Sequence, residues 1–307
     1  MKYLAVDIGG TGIKYGVVED DGNVIVHYSM DTEACRGADC LIEKVKNIIR
    51  FLLKEHGEDI GGIGISTAGQ VNRVAGEIVF ATEAIPGWTG VKLKEIIEKE
   101  FSYGCYVDND VNCAALGEMW TGSAKNEKNF LCLTLGTGIG GAIVINRDIF
   151  TGSSYSAGEF GHMNLYPNGL ECNCGHRGCY ERYASTSALV KFAQEKAETK
   201  ERLNGKIIFE RANNGEKIYK DIVNQWTYNI ALGLKNLVHI FNPPLIIIGG
   251  GVSAQGNLIT DLIKKHLDTM IMPSFSKNLM VKVASCGNKA GMLGSVYGLK
   301  NNIKKGL

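Results

Sequence analysis

This chain is short of several things, and each shortage narrows what it can be. Proline occurs 5 times in 307 residues, and no stretch reads as a linker or a low-complexity arm. There is no surplus of one charge: 33 Lys+Arg stand against 32 Asp+Glu, net +1, so a nucleic-acid partner is not expected. Nothing approaches the roughly 18 consecutive apolar residues of a membrane span. The start, Met1 to Val6, meets Asp7 too early for a secretory signal, which predicts a cytoplasmic protein. Nine cysteines, an odd number, then suggest reduced thiols and metal ligands rather than a disulfide framework. What is abundant is glycine, 39 residues, which implies tight turns or backbone brought close to a ligand. The length suggests two domains.

Residues 3–8 and 13–18 read as strands joined by Gly9-Gly10-Thr11-Gly12, with a second turn at 20–22. Leu41, Val45, Ile48 and Leu52 recur at helical spacing, predicting a helix over 39–56. A strand at 61–66, a loop with Pro86-Gly87-Trp88, a charged helix at 91–101 and a strand at 103–107 follow. The loop reads as either a lid edge or a turn. In the second half, strand 130–135 runs through Gly136-Thr137-Gly138-Ile139-Gly140-Gly141 into strand 142–145. The pattern T-G-I-x-x-small-apolar-V starts at both Thr11 and Thr137, which predicts two lobes of similar build. A helix over 216–241, stopped by Asn242-Pro243-Pro244, a strand at 245–249 and a last helix over 288–300 complete an α/β pattern.

Gly136-x-Gly138-x-x-Gly141 matches the dinucleotide-binding fingerprint by letter. That fingerprint needs a helix to begin at the glycines, whereas Ala142-Ile143-Val144-Ile145 reads as a strand. A P-loop is excluded, because Gly205-Lys206 is not followed by Ser or Thr. What remains is a glycine hairpin whose N–H groups can face phosphate oxygens. One such hairpin would be read as a plain turn. Two, with Asp7 before one and Thr134 and Thr137 in the other, point to a nucleotide.

Cys172, Cys174 and Cys179 fall within eight residues, with Gly175 and Gly178 letting the chain curl. Zinc takes four such ligands in a tetrahedron, and His162 or His176 can supply the fourth. For Cys35, Cys40, Cys105, Cys113, Cys132 and Cys286, scattered among apolar neighbours, core packing is expected. The strand at 103–107 ends in Asp108-Asn109-Asp110, just before an apolar helix from Cys113 to Trp120. Any of these could be a helix cap; phosphoryl transfer to an alcohol would also need a carboxylate to accept the hydroxyl proton.

Asp7-Ile8-Gly9-Gly10-Thr11, Leu135 to Gly141 and Ile248-Gly249-Gly250-Gly251 resemble the two phosphate motifs and the adenosine motif of actin-like ATPases. The likeness is greatest to ROK sugar kinases, whose C-x-C-G-x-x-G-C-x-E signature Cys172 to Glu181 matches without departure. The resemblance implies a two-lobed actin-like (ribonuclease H-like) α/β fold with a cleft between lobes. Residues 1–113 plus 289–307 would form one lobe and 114–288, with the zinc loop, the other. It implies ATP and Mg2+, with Asp7 holding magnesium through water. Gly9, Gly10, Thr11, Lys14, Thr134, Gly136, Thr137 and Gly138 would lie on the phosphates, and Gly249, Gly250 and Gly251 by the adenosine. His162 becomes the fourth ligand of a structural Zn2+, leaving His176 on the surface.

Of the acidic cluster, the resemblance implies Asp110 as general base and Asn109 as a sugar contact; Asp108 is assigned no role. Glu159, His162 and Glu181 would hold the end of the pyranose far from the 6-hydroxyl. Gly69 and Thr82 correspond more loosely to sugar contacts, and Gln70 lies where related kinases differ. The implied reaction is ATP-dependent phosphorylation of a hexose at O6, glucose by default, with N-acetylmannosamine, fructose or a β-glucoside as alternatives, by a homodimer. ROK repressors carry a helix-turn-helix region ahead of the Asp-Ile-Gly-Gly-Thr motif, for which a motif at residue 7 leaves no room. A chaperone-type ATPase would need neither the zinc loop nor Asn109-Asp110.

Overall fold

The computed structural model describes residues 1–305; the last two residues of the expected first lobe, 306 and 307, lie outside the described residues. In chain order the elements begin with β1 (Lys2–Ile8), β2 (Gly12–Glu19), β3 (Val24–Asp31), α1 (Ala38–His56), β4 (Ile60–Thr67), β5 (Gln70–Asn72) and β6 (Glu77–Phe80). There follow α2 (Leu93–Phe101), β7 (Cys105–Asn109), α3 (Asp110–Trp120), β8 (Phe130–Leu135), β9 (Ile139–Ile145) and β10 (Asp148–Ile149). The rest comprises α4 (Glu181–Ala184), α5 (Thr186–Lys196), α6 (Gly205–Asn213), α7 (Lys217–Phe241), β11 (Leu245–Gly249), α8 (Asn257–Met270), α9 (Pro273–Ser276), β12 (Met280–Val283) and α10 (Ala290–Lys305).

Contacts divide the chain into two compact units. Unit 1 holds residues 1–126, 148–157 and the segment from 288 on; unit 2 holds 127–147 and 158–287. A boundary at 113/114 would cut α3, which instead lies whole in unit 1.

In unit 1 the sheet runs β3-β2-β1-β4-β7. β2 is antiparallel to β1 and β3, while β1, β4 and β7 are parallel. Tyr3, Leu4, Ala5 and Val6 are all buried, the mark of a central strand covered on both faces. On one face α1 presents Leu41, Val45, Ile48, Ile49 and Leu52 to Leu4, Val6, Ile8 and Val17. Each such side chain, fully buried, stabilises the fold by about 1.5–3 kcal/mol. On the other face α10 packs against α3 almost backbone to backbone. A Cβ on Gly294 would overlap the Cys113 carbonyl, one on Gly117 would lie 2.5 Å from the Ala290 oxygen, and one on Gly298 would enter the Tyr106 ring. Part of the glycine surplus therefore serves helix packing.

In unit 2 the strands pair in the order β9-β8-β11-β12. β9 is antiparallel to β8, and β8, β11 and β12 are parallel. The expected repeat is borne out as topology, since each unit has an antiparallel hairpin followed by parallel strands. α7 buries Ile222, Trp226, Ile230, Leu234 and Leu237 along one face and stops at Asn242, whose φ of 45° leads into Pro243. The Trp226 indole donates to the carbonyls of Ala184 and Ser185 at 3.1 and 3.0 Å, fixing the short α4.

Core packing is the wrong expectation for part of the cysteine set. Cys105, Cys113 and Cys132 are buried, but Cys35 is exposed and Cys40 and Cys286 are half-buried: Cys35 lies in a short turn, Cys40 in the first turn of α1 and Cys286 in the bend before α10, not in a central strand or helix face. No helix is long and apolar enough to cross a membrane among the described residues.

Candidate active site and metal centre

In unit 1 the β1–β2 hairpin places Asp7 opposite Lys14, and the parallel pairing with β4 sets it beside Ser66. The Ser66 hydroxyl donates to Asp7 Oδ1 at 2.7 Å, and Lys14 Nζ lies 3.6 Å from Oδ2. Burial raises the Asp7 carboxyl above its usual range, against the pull of Ser66 and Lys14. The turn itself closes by Gly9 N–H donating to the Gly12 carbonyl at 3.0 Å, leaving Gly10 and Thr11 exposed. A Cβ on Gly291 would come within 2.5 Å of the Asp7 carboxylate. The first turn of α10 thus forms one wall around Asp7, a contact no local motif announces.

β7 and α3 meet at Asn109. Its side-chain oxygen caps the helix, accepting from the N–H groups of Val111 (2.9 Å) and Asn112 (3.2 Å). Its Nδ2 donates to the Gly69 carbonyl at 2.8 Å and to Asp110 Oδ1 at 3.0 Å. Cap and polar contact are therefore one residue, and the two readings of the cluster do not compete. Asp110 is pushed up to about 6, first by burial and then by the charge of Asp7. A carboxylate of that kind is ionised at neutral pH and basic enough to take a proton.

Asp108, to which the sequence assigned no role, is fully buried. Four donors converge on it: Asn109 N–H (2.8 Å), Asn112 Nδ2 (2.9 Å), the Tyr106 hydroxyl (2.5 Å) and Arg73 Nε (3.4 Å). Of the looser expectations, Gly69 reaches this cluster through Asn109. Thr82 is exposed in the turn that its carbonyl closes with Ile85 N–H at 3.2 Å. Trp88 is fully buried with its indole donating to Thr67 at 3.1 Å, so the Pro86 loop is a pinned turn.

In unit 2 the second hairpin closes by Gly136 N–H donating to the Gly138 carbonyl at 3.0 Å. Thr134 pairs with Gly249 across β8 and β11, which brings the Gly249–Gly251 turn to the hairpin. Gly250, at φ 86°, packs so closely on Leu135 that no side chain fits there. A cavity of about 680 Å³ opens beside them, lined by Gly136, Thr137, Gly251, Thr186, Val190 and Arg202 among others. It is large enough for a nucleoside. The two glycine segments singled out in the second half thus share one cavity.

A ring nitrogen of His162 and the sulfurs of Cys172, Cys174 and Cys179 all lie within 4.8 Å of one another. Cys172 Sγ is 3.8 Å from His162 Nδ1, and the sulfurs of Cys174 and Cys179 are 3.5 Å apart. Gly175 and Gly178, at φ 86° and 78°, make the bends, and Cys172 N–H donates to the His176 carbonyl at 2.8 Å. Three sulfurs and one imidazole converging so closely are the donor set of structural zinc. His176 is exposed and outside the cluster. Glu181 Oε1 lies 3.2 Å from Cys172 Sγ, and a Cβ on Gly138 would sit 2.5 Å from its Oε2. Glu181 therefore stands between the metal cluster and the hairpin, while Glu159 opens the short turn that carries His162.

Residues 3–301 match the ROK family. A glucokinase of Halalkalibacterium halodurans is 33% identical over 323 residues, covering 99% of this chain and 97% of the relative. A β-glucoside kinase of Listeria innocua is 36% identical over 301 residues, covering 97% of each. The crystal structure of a ROK family glucokinase from Streptomyces griseus, in complex with glucose and AMPPNP, superimposes with a TM-score of 0.83 at 32% identity. That likeness covers 96% of this chain and 98% of the other. The fold is accordingly the α/β fold of actin-like ATPases expected from the glycine motifs. On the family match and these near-full-length relatives, the chain belongs to the ROK family.

Proposed function

We propose that this ROK protein is a sugar kinase that transfers the terminal phosphoryl group of ATP to the 6-hydroxyl of a hexose, with Asp110 as general base. The observation that carries the reading is the environment of Asp110: a carboxylate at the first turn of α3, bonded to Asn109 and raised to about 6 by burial and by Asp7. Asp110 would take the hydroxyl proton as the new P–O bond forms, and Asn109 would orient the sugar with the Nδ2 that now bonds Gly69 and Asp110. Asp7 would hold magnesium through water, with Ser66 and Lys14 fixing its carboxylate; the ion, when bound, offsets the phosphate charge. Gly9, Gly10, Thr11 and Lys14 from unit 1, and Thr134, Gly136, Thr137 and Gly138 from unit 2, would bind the phosphates. The cavity beside Gly249–Gly251 fits the adenosine. AMPPNP in the Streptomyces griseus enzyme supports ATP as donor.

Glu159, His162 and Glu181 would bind the far side of the sugar, with Gly69 and Thr82 as further contacts. With zinc on His162 Nδ1, the other ring nitrogen is left to donate to a hydroxyl. The metal would be structural, held by His162, Cys172, Cys174 and Cys179. Glucose is the default substrate. The Listeria innocua relative supports a β-glucoside as the second reading, with N-acetylmannosamine and fructose as further alternatives. A homodimer in the reducing cytoplasm completes the proposal, consistent with nine cysteines outside any disulfide.

The test is a panel of hexoses and β-glucosides with ATP and magnesium and a coupled ADP readout. One sugar should be turned over with the phosphate on O6. No sugar-dependent ADP release with any member would remove the kinase reading.

A further inference from the structure

We propose that Arg73 is a positioning residue for the Asn109–Asp110 pair, acting through the buried carboxylate of Asp108. The inference rests on Asp110 being the base.

Arg73 belongs to the turn of the β5–β6 hairpin, just after Gly69 and Gln70, far in sequence from the β7–α3 junction. Its side chain is 13% exposed, and its guanidinium lies over the Tyr106 ring at 5.6 Å. Nε stands 3.4 Å from Asp108 Oδ2 and Nη1 bonds Asp148 at 3.0 Å. Burial would draw a proton off the guanidinium, but Tyr106, Asp108 and Asp148 overrule it, and Arg73 stays charged. At Asp108 the situation is the mirror image. Burial raises the carboxyl, while Arg73, Tyr106, Asn112 and Asn109 oppose it. The Asn109 N–H, the Asn112 amide and the Arg73 guanidinium can only donate to its oxygens, which favours the ionised acceptor form against the cost of burial.

The consequence falls on the next two residues. Asp108 takes the backbone N–H of Asn109 on Oδ1 and the side chain of Asn112, one turn into α3, on the same atom. It thereby sets the direction in which the chain leaves β7 and so the placement of the Asn109 and Asp110 side chains. Two contacts tie this junction to the β5–β6 region: the hydrogen bond from Asn109 Nδ2 to the Gly69 carbonyl, next to β5, and the ion pair of Arg73 with Asp108. The hairpin is secured on its other side as well, by Ser156 donating to Gln70 at 2.8 Å and by Arg73 on Asp148. Removing Arg73 leaves a buried carboxylate without its cation, and such a charge moves its surroundings or takes up a proton. Either event reaches Asn109 through a single bond. A displacement of about 1 Å at a reacting group can cost roughly 100-fold in rate.

The experiment measures kcat, the hexose KM and the ATP KM for Arg73→Met, Asp108→Asn and the double variant, using the sugar turned over fastest, with Arg73→Lys as the conservative variant. Asp108→Asn keeps the shape and the acceptor for Asn109 and Asn112. Arg73→Met should lower kcat by roughly 10- to 100-fold and raise the hexose KM, leaving the ATP KM unchanged. Arg73→Lys should recover part of the loss, and the double variant should be no worse than Arg73→Met, because charge and countercharge leave together. Wild-type kcat and hexose KM in a folded Arg73→Met, or losses that multiply in the double variant, overturn the proposal. If Arg73→Met does not fold, Asp108→Asn decides alone: unchanged kinetics overturn it, a kcat and hexose KM effect supports it. Asp110→Asn is measured beside them. Full activity there removes the base itself, a different failure from an inert Arg73.

Discussion

At the scale of single residues, the burial of Asp110 carries a cost alongside the role proposed for it. Its carboxyl is raised from the ordinary 3.8 to about 6, burial first and Asp7 second. A group whose folded pKa lies above its unfolded one favours the fold fully at pH below the unfolded value and loses that contribution as pH rises through the folded one. Asp110→Asn should therefore melt several degrees higher than the parent at pH 8, and the advantage should fade between pH 6 and 4. The same variant should lose at least roughly 100-fold in kcat while still binding sugar, as read by titration calorimetry. Parental kcat/KM should climb through pH 6 to a plateau. A variant that keeps its activity would leave position 110 with a structural duty only. Gly291 makes the second point at this scale, because a side chain there meets the Asp7 carboxylate at 2.5 Å. Gly291→Val should raise the magnesium half-saturation by at least roughly tenfold, equivalent to about 1.4 kcal/mol of binding, without changing hexose affinity. Unaltered magnesium dependence would mean that Asp7 has room to move aside.

At the scale of elements, the loop 158–181 has little regular structure and depends on convergence of its ligands. It contains one short turn at Phe160–His162 and isolated bridges pairing Asn164 with Cys179 and Glu171 with Arg177. Without the ion, three thiols and an imidazole would crowd within 4.8 Å, with Glu181 beside Cys172 as a further acceptor. Metal bound by Cys and His in small peptides contributes about 10–16 kcal/mol, comparable to the stability of a whole domain, about 5–15 kcal/mol. Cys174→Ser should therefore bind less than one zinc per chain by elemental analysis, and limited proteolysis should cut within 158–181. Full metal content in that variant would remove Cys174 from the ligand set. Gly138 joins the same loop to the β8–β9 hairpin, since its Cα faces Glu181 Oε2. Glu181→Gln should raise the hexose KM with a smaller effect on kcat, and a KM left in place would detach Glu181 from sugar binding.

At the scale of the whole molecule, two units of related topology each hold one glycine hairpin, and the other candidate groups are divided between them. Unit 1 holds Asp7, Asn109 and Asp110; unit 2 holds the nucleoside-sized cavity and the metal cluster. A kinase that needs both should hydrolyse ATP slowly without sugar, because exclusion of water is part of directing the phosphoryl group. ATP turnover should rise by two orders of magnitude or more, roughly the contribution of a positioned base, when the accepted hexose is added. Equal turnover with and without hexose would favour an ATPase of another kind.

Much of this was legible before any coordinates, because turns and metal loops are written in adjacent residues. The hairpins at Gly9–Gly12 and Gly136–Gly138, the cysteine cluster, the capped start of α3 and most strands depend on spacings of a few positions. β3 is largely exposed and carries no buried apolar face, and no turn or ligand motif marks α5, α6 or α8. What only the tertiary structure decided are contacts between segments remote in sequence. Ser66 meets Asp7 through strand register, Gly291 through the docking of the last helix, and Arg73 meets Asp108 through a hairpin folded back on β7. Local order follows from local chemistry, whereas the burial that raises Asp110 and the charge that holds Asp108 come from groups the chain brings together only when it folds.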